Sequence, residues 1–287
     1  MGIAALSGPV NPERLNAGVE ALRGLGFEPV LGSNLDCRCG LFSGDDEQRL
    51  EAFHALIRDP DLKAIVFARG GYGLQRLLPR LDWDLLAAHP RAYVGYSDLT
   101  PFLNLVVQRL GLVAFHGPMV AADLARGLEP EEEASFLGCL AGEIPERYPL
   151  PHWSRAGEVE GPLLGGCLSL LAASLGTPFA PDLEGAVLFW EEVAEPLYRI
   201  DRMLTHLRLS GSLRALAGMA VGHIRWADSE RVPDLAWQQL EEINLHQVPG
   251  PVGAGLASGH SAPNLTLPLG LRARLSSDEA SLIFGPG

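Results

Sequence analysis

Long apolar stretches and clustered basic residues are both missing from this sequence of 287 residues. No run approaches the roughly 18 consecutive apolar residues of a membrane span, so we expect no membrane association. The first residues lack the basic segment and long apolar core of a secretion signal, and we expect a cytoplasmic protein. Lys and Arg total 22 against 35 Asp and Glu, a formal net charge of −13. Nucleic acid is therefore excluded as a partner, because phosphate binding needs clustered positive charge.

Cysteine is also scarce, and its spacing does not favour a metal site. The four cysteines include one C-x-C pair but no second ligand pair at zinc spacing, and H-E-x-x-H is absent. We therefore predict no metal and reduced thiols. The first predicted strand-to-helix turn, Leu6 to Pro9, lacks the G-x-G-x-x-G motif, and this absence disfavours the binding of a dinucleotide cofactor. We predict no cofactor.

The first third of the chain alternates short apolar runs with amphipathic stretches. This alternation predicts parallel strands joined by crossover helices, which is an α/β fold. The predicted strands lie near residues 3–6, 28–31, 64–68 and 92–96, and the main predicted helices lie near 12–23, 46–58 and 100–110.

The second half of the chain has a different pattern of apolar and polar residues. Between about residues 122 and 160 the periodicity fades into an acidic run and several prolines, which indicates a connection between domains. Beyond it, an apolar run at 186–190 and alternating residues around 276–279 predict a strand-rich, mixed region that includes a hairpin. The predicted organisation is a domain at 1–121, a linker at 122–160 and a second domain at 161–287.

Ser97 stands between a predicted strand and a predicted helix. A sharp turn at such a place exposes the hydroxyl and points the following amides outward, as a nucleophilic serine requires. Gly95 relieves crowding there, although Leu99 occupies the last position of the G-x-S-x-G pattern. The alternative interpretation is a serine that caps the helix.

A glycine-rich loop, residues 69–73, follows another predicted strand. Glycine permits a positive φ and a close backbone approach, so a glycine amide from this loop would reach the side of Ser97. Together with the amide of Asp98, it would form an oxyanion hole. An ordinary turn and a dinucleotide-binding loop are the alternatives.

A serine nucleophile also needs an imidazole and a carboxylate. His260 lies in a turn-rich loop and is the first candidate base, with His116 as a second histidine to consider. Glu191 and Glu192 end the strand predicted at 186–190, and Glu195 is a third candidate acid. The pattern alone does not say which acid faces the imidazole.

Six segments in this order resemble the LD-carboxypeptidase family of serine peptidases, and the match runs along nearly the whole chain. They are Arg69-Gly70-Gly71-Tyr72-Gly73, Gly95-Tyr96-Ser97-Asp98, Phe115-His116-Gly117-Pro118, Gly165-Gly166-Cys167-Leu168-Ser169-Leu170-Leu171, Trp190-Glu191-Glu192-Val193, and Gly259-His260 with Pro263-Asn264.

The resemblance implies a fold and a catalytic triad. The fold is a Rossmann-like N-terminal domain with a parallel sheet, which carries Ser97, and a smaller β-rich, swivelling-type C-terminal domain. The second domain would carry His260 and Glu191, which is chosen over Glu192 because it matches the first acid of the family motif. The implied oxyanion donors are the amides of Gly71 and Asp98.

The resemblance further implies release of the C-terminal D-alanine from murein tetrapeptides during cell-wall recycling, by a homodimer. The expected substrate-binding residues are Arg69, Gly70, Tyr72 and His116. Arg69 is a candidate for the terminal carboxylate, with pairing to an acid as the alternative. A second branch of the family, the microcin C immunity peptidases, cleaves peptidyl or aminoacyl nucleotide conjugates, but its members are longer.

Two positions depart from the family pattern. Cys167 stands where the family usually has Asn, and Leu6 breaks an A-P-S pattern near the first strand. Neither removes a member of the triad. The competing functions are an esterase-like or amidotransferase-like activity and a non-catalytic protein that binds cell-wall peptides or nucleotides.

Overall fold

A computed structural model describes residues 1–227 and 234–285 as an α/β protein with two sheets. The strands are β1 Gly2–Ala4, β2 Val30–Leu31, β3 Ala64–Phe67, β4 Ala92–Gly95, β5 Ala114–His116, β6 Arg147–Pro149, β7 His152–Arg155, β8 Glu158–Cys167, β9 Val187–Glu195, β10 Gly218–Trp226, β11 Val252–Ala254, β12 Leu267–Leu269, β13 Arg272–Ser276 and β14 Ser281–Ile283. The α-helices are α1 Pro12–Gly24, α2 Asp46–Arg58, α3 Trp83–Ala88, α4 Thr100–Leu110, α5 Pro130–Ala141, α6 Leu168–Ser174, α7 Leu197–Leu209, α8 Ser212–Ala215 and α9 Asp234–Ile243.

The first sheet has the strand order β12-β5-β4-β3-β1-β2. Strands β1 to β5 run parallel, as predicted from the alternation of apolar runs and helices. All four residues of β3 are buried, which is typical of a parallel strand covered on both faces. Because β3 and β4 are parallel neighbours, the glycine-rich loop after β3 and Ser97 after β4 emerge at the same edge of the sheet.

The second sheet has the order β6-β14-β13-β8-β9-β10-β11-β7. Strands β8 to β11 are parallel, and antiparallel strands flank them on both sides. The predicted hairpin is confirmed as β13 and β14. Strand β9 carries Glu191, and His260 lies in the loop between β11 and β12. The two-part α/β fold implied by the resemblance is confirmed.

The two halves share polar contacts and a core. The side chain of Asn104 in α4 donates to the carbonyl of Gly165 at 2.8 Å and accepts from the amide of Gly165 at 2.9 Å. One buried apolar cluster contains Phe102 from the first half together with Leu163 and Phe189 from the second. The helix that follows Ser97 is therefore held directly against the second sheet.

The segment 122–160, predicted as a linker, contains regular structure. It contains α5, β6, β7 and the beginning of β8, and Phe136 of α5 is buried in a core cluster with residues of the first sheet. The acidic run that suggested a linker lies in the first turn of α5, where negative charge is stabilised by the helix dipole. Glu129 and Glu132 also form a capping box there.

Strand β12 returns to the first sheet from the far end of the chain. It pairs antiparallel with β5, with Leu267 opposite His116. The segment 161–287 therefore contributes a strand to the sheet that carries Ser97. The division into domains at 121 and 161 stays a prediction.

Candidate active site

Ser97 occupies a strained turn between β4 and α4. Its φ is +62°, a left-handed conformation that is unusual for a residue other than glycine and that costs energy. Within the described part of the chain α4 has no side-chain N-cap, and its N-cap residue is Leu99. The structure therefore disfavours the alternative that Ser97 is a capping serine, and the turn has the form of a nucleophile elbow.

The glycine-rich loop lies directly against this turn. A Cβ added to Gly70 would lie 2.8 Å from the Cβ of Ser97 and 2.9 Å from its Oγ, so no larger residue fits without moving the serine. The same point is 3.3 Å from the amide nitrogen of Asp98. The loop thus brings its backbone to the predicted oxyanion side of Ser97, and Gly71 next to it has a φ of +122°.

The carboxylate of Asp98 fixes the other end of this loop. Its side chain is buried and accepts a hydrogen bond from the amide of Leu74 at 2.9 Å. Burial raises the pKa of Asp98, and the hydrogen bonds that it accepts oppose this change. Asp98 therefore joins the turn at Ser97 to the end of the glycine loop, while its backbone amide remains on the side of the nucleophile.

His260 and Glu191 form a close pair across the second half. Nδ1 of His260 lies 2.6 Å from Oε2 of Glu191, whose side chain is fully buried. Gly259 has a φ of +128°, and a Cβ there would lie 2.9 Å from the same oxygen. The Tyr96 ring packs against the imidazole in a T-shaped arrangement, with centroids 4.8 Å apart. Because Nδ1 is used by Glu191, Nε2 remains available to a second partner.

The other two candidate acids face elsewhere. Glu192 accepts hydrogen bonds from the amides of Ser169 at 2.7 Å and Val193 at 2.9 Å, and burial raises its pKa. Glu195 pairs with Arg199 at 3.2 Å. The geometry therefore agrees with the choice of Glu191.

Ser97 and His260 line one cavity of about 310 Å³. Tyr96, Arg69, Gly70 and Gly71 also form its wall, so the loop, the turn and the histidine surround one space. The hydrogen bonds of the described residues do not include one between the serine hydroxyl and the imidazole, a contact that often forms only when substrate binds. No group of three or more metal-ligating side chains occurs among the described residues.

Two family models match the sequence. The LD-carboxypeptidase N-terminal domain matches residues 1–117, and the LD-carboxypeptidase C-terminal domain matches residues 160–275. The chain belongs to the LD-carboxypeptidase family.

Individual family members agree with this assignment. The probable murein peptide carboxypeptidase of Bacillus subtilis is 33% identical over 293 residues, covering 100% of this chain and 92% of that protein. The crystal structure of muramoyltetrapeptide carboxypeptidase from Oxalobacter formigenes superposes with a TM-score of 0.86 at 32% identity, covering 100% of both chains. The structure of MccF in complex with glutamyl sulfamoyl guanosine has the same TM-score at 25% identity, covering 99% of this chain and 95% of MccF.

Two predicted substrate-binding residues of this LD-carboxypeptidase do not line the cavity. Tyr72 is 57% exposed and packs beside Phe42, with ring centroids 5.8 Å apart. His116 is only 1% exposed and lies between Tyr96 and Phe189. Burial lowers the pKa of His116 to about 3, and neither ring nitrogen has a hydrogen-bond partner among the described residues. His116 is thus a neutral packing residue behind the cavity wall, because its burial disfavours the charged form.

Cys167, which departs from the family pattern, lies beside the candidate active site and not in it. Its sulfur is 3.2 Å from Oγ of Ser169 and 3.6 Å from Oε1 of Glu192, and its amide donates to Oγ1 of Thr100 at 3.0 Å. The cysteine thus contacts the acid that faces away from His260. The strand register also places Cys167 opposite Glu191.

The sequence did not predict that buried hydrogen bonds from α5 hold the loop that carries His260. Oε1 of Glu132 in α5 accepts from the amide of Asn264 at 2.5 Å, and Oδ1 of Asn264 accepts from the amide of Gly259 at 2.9 Å. Arg126 pairs with Glu132. The spacing of Glu129 and Glu132 is a capping-box signal that predicts the helix, but the contact with the histidine loop is made over 132 positions and has no local signal.

Sequence reasoning also missed Arg14 and Asn11, which line the cavity from the start of α1. Oδ1 of Asn11 accepts from the amide of Arg14 at 3.0 Å and caps the helix. The helix start was predictable, but the direction in which Arg14 points was not. None of the described helices is long and apolar enough to cross a membrane.

Proposed function

We propose that this protein is a serine LD-carboxypeptidase that releases the C-terminal D-alanine from murein tetrapeptides through Ser97, His260 and Glu191. The observation that carries the proposal is that His260, paired with buried Glu191, lines the same cavity as Ser97 on its strained turn. Membership of the LD-carboxypeptidase family and the similarity to murein peptide carboxypeptidases support it.

The proposed reaction starts with proton transfer to the histidine. Nε2 of His260 takes the proton of the Ser97 hydroxyl while Glu191 holds Nδ1–H and stabilises the imidazolium. The serine oxygen attacks the carbonyl carbon that precedes the terminal D-residue. His260 then gives its proton to the leaving amine, so that D-alanine departs and an acyl-enzyme remains.

The negative oxygen of the tetrahedral intermediate needs fixed donors. The amides of Gly71 and Asp98 are the proposed donors, and the close approach of the glycine loop to Ser97 supports this assignment. In the second half of the reaction, His260 activates a water molecule that hydrolyses the acyl-enzyme and regenerates the serine.

A nucleotide conjugate is the second candidate substrate. The similarity to MccF, which is described in complex with glutamyl sulfamoyl guanosine, favours including it. Both substrates would use the same nucleophile and base, so they differ in what lies beyond the scissile bond. Homodimeric assembly and a cytoplasmic location stay predictions.

The test is release of D-alanine from purified tetrapeptides with meso-diaminopimelate or Lys as the third residue, followed by mass spectrometry. We expect time-dependent release by the wild-type protein and a loss of at least about 10³-fold in Ser97→Ala. Ser33→Ala is the matched control, because Ser33 is exposed and distant in sequence from the cavity residues, and it should keep full activity.

Two outcomes would contradict the proposal. One is the absence of D-alanine release by folded wild-type protein, with or without cleavage of an aminoacyl sulfamoyl nucleotide assayed in parallel. The other is a Ser97→Ala variant that keeps wild-type turnover. Thermal unfolding of each variant shows whether a loss of activity reflects chemistry or folding.

A further inference from the structure

The wall of the cavity carries positive charge, although the protein has a net charge of −13. Two arginines, Arg14 and Arg69, line it, and no Asp or Glu is among the described residues of its wall. An acidic protein that places two cations and no anion around a nucleophilic serine has a local charge opposite to that of the whole chain. This charge favours a negatively charged group in the ligand.

The two guanidinium groups are held by backbone carbonyls. Nη2 of Arg14 donates to the carbonyl of Ala122 at 3.2 Å. Nε of Arg69 donates to the carbonyl of Gly70 at 3.1 Å, and its Nη1 donates to the carbonyl of Pro9 at 3.1 Å. Since a guanidinium has five N–H donors, these bonds fix the orientation of each arginine and leave donors for a ligand.

Neither arginine forms an ion pair with any residue that the structure describes. Several arginines elsewhere on the surface do, for example Arg76 with Asp46 at 2.8 Å. The alternative that Arg69 serves to pair with an acid is therefore not what the described residues show. An exposed cation that is oriented but has no counter-ion is suited to bind an anion that arrives with the substrate.

A carboxypeptidase substrate brings its anion close to the scissile bond. Standard bond lengths place the carbon of the terminal carboxylate about 3–4 Å from the carbonyl carbon that the serine attacks. The carboxylate must therefore enter the same cavity as Ser97 and His260. A cavity of about 310 Å³ is large enough for one terminal residue and the attacked carbonyl.

We propose that Arg14 binds the free carboxylate of the substrate together with Arg69 and thereby determines that the enzyme acts on C-terminal residues. This inference rests on the proposed peptidase function and adds a substrate-binding residue to it. Arg14 is placed by α1, whose first turn is capped by Asn11, so the start of that helix forms one side of the leaving-group site.

The experiment compares a tetrapeptide that ends in D-alanine with the same peptide ending in D-alanine amide. The wild-type protein should prefer the acid. Arg14→Gln should lose about 10- to 100-fold in kcat/KM on the acid, the range for one charge-assisted hydrogen bond, and change less than about 3-fold on the amide. Arg14→Lys keeps a cation and should recover part of the preference.

Arg23→Gln is the matched control, because Arg23 is an exposed arginine in the last turn of the same helix and pairs with Glu20 there. It should keep the wild-type ratio of acid to amide. An Arg14→Gln variant that keeps this ratio, or that loses the same factor on both peptides, overturns the role of Arg14. If the wild-type protein cleaves neither peptide, the proposed function fails instead.

Discussion

The pair formed by Glu191 and His260 gives the sharpest prediction. Glu191→Gln keeps the size of the side chain and removes its charge. In the native pair, Nδ1–H of His260 donates a hydrogen bond to Oε2 of Glu191 at 2.6 Å, which leaves Nε2 free to take the proton of Ser97. An amide that donates to Nδ1 would place the ring proton on Nε2, and that tautomer cannot act as the base.

The size of the effect follows from the burial of the pair. Glu191 is 0% exposed and His260 is 15% exposed, so water screens their interaction poorly. Unit charges about 4 Å apart attract by about 4 kcal/mol at an effective dielectric constant of about 20. Loss of that energy from the imidazolium of the transition state lowers kcat by about 10³-fold, and the wrong tautomer extends the loss toward about 10⁴-fold.

The assay is kcat for D-alanine release, with the unfolding midpoint measured on the same samples. Glu192→Gln is the matched control, since Glu192 is the neighbouring buried acid, contacts Ser169 and Val193, and already has a raised pKa. It should keep kcat within about 10-fold, because the described hydrogen bonds of Glu192 involve neither His260 nor Ser97. A Glu191→Gln enzyme with more than about 10% of wild-type kcat, or equal losses in both variants, would refute the reasoning.

Two further predictions concern Gly70 and His116. Gly70→Ala places a methyl group 2.9 Å from Oγ of Ser97, so kcat should fall by about 10²-fold. Gly24→Ala is the control and should leave kcat unchanged, because its added Cβ has no neighbour within 4 Å. Equal kcat values in the two variants would contradict the packing argument. The pKa of His116 falls from 6.5 to about 3 on folding. Below about pH 6.5 the unfolded chain therefore binds a proton on His116 that the folded protein does not bind, and the unfolding free energy decreases as the pH drops. Between pH 7 and pH 5 the unfolding free energy, measured by urea denaturation, should fall by about 2 kcal/mol more in the wild-type protein than in His116→Phe. An identical pH dependence in the two proteins would refute this prediction.

The turn at Ser97 could be predicted because its signals are local. An apolar strand, a glycine two residues before the serine and a Thr-Pro helix start lie within a dozen residues. The choice between Glu191 and Glu192 could not be made this way. Both are buried in β9, and adjacent residues of a strand point to opposite faces, so the answer depends on which face meets the histidine loop.

Other features needed the whole fold. The acidic start of α5 resembles a solvated linker until its apolar residues are seen to pack on the first sheet. His116 was predicted to follow a strand, but it is the last residue of β5, and its ring is buried between Tyr96 and Phe189, the latter from a distant part of the sequence. The direction of Arg14 depends on how α1 packs against the segment around Ala122. Contacts over such separations leave no periodicity in the sequence.

The late origin of β12 has a consequence for biosynthesis. This strand pairs with β5 at Leu267 opposite His116, 151 positions (267 minus 116) after it in the chain. Until those residues have been synthesised, the edge of β5 beside Phe115 cannot pair with β12. An unpaired strand edge is a template for pairing with other chains, so aggregation is favoured until β12 is in place. The sheet beside Ser97 is therefore complete only after β12 has been synthesised.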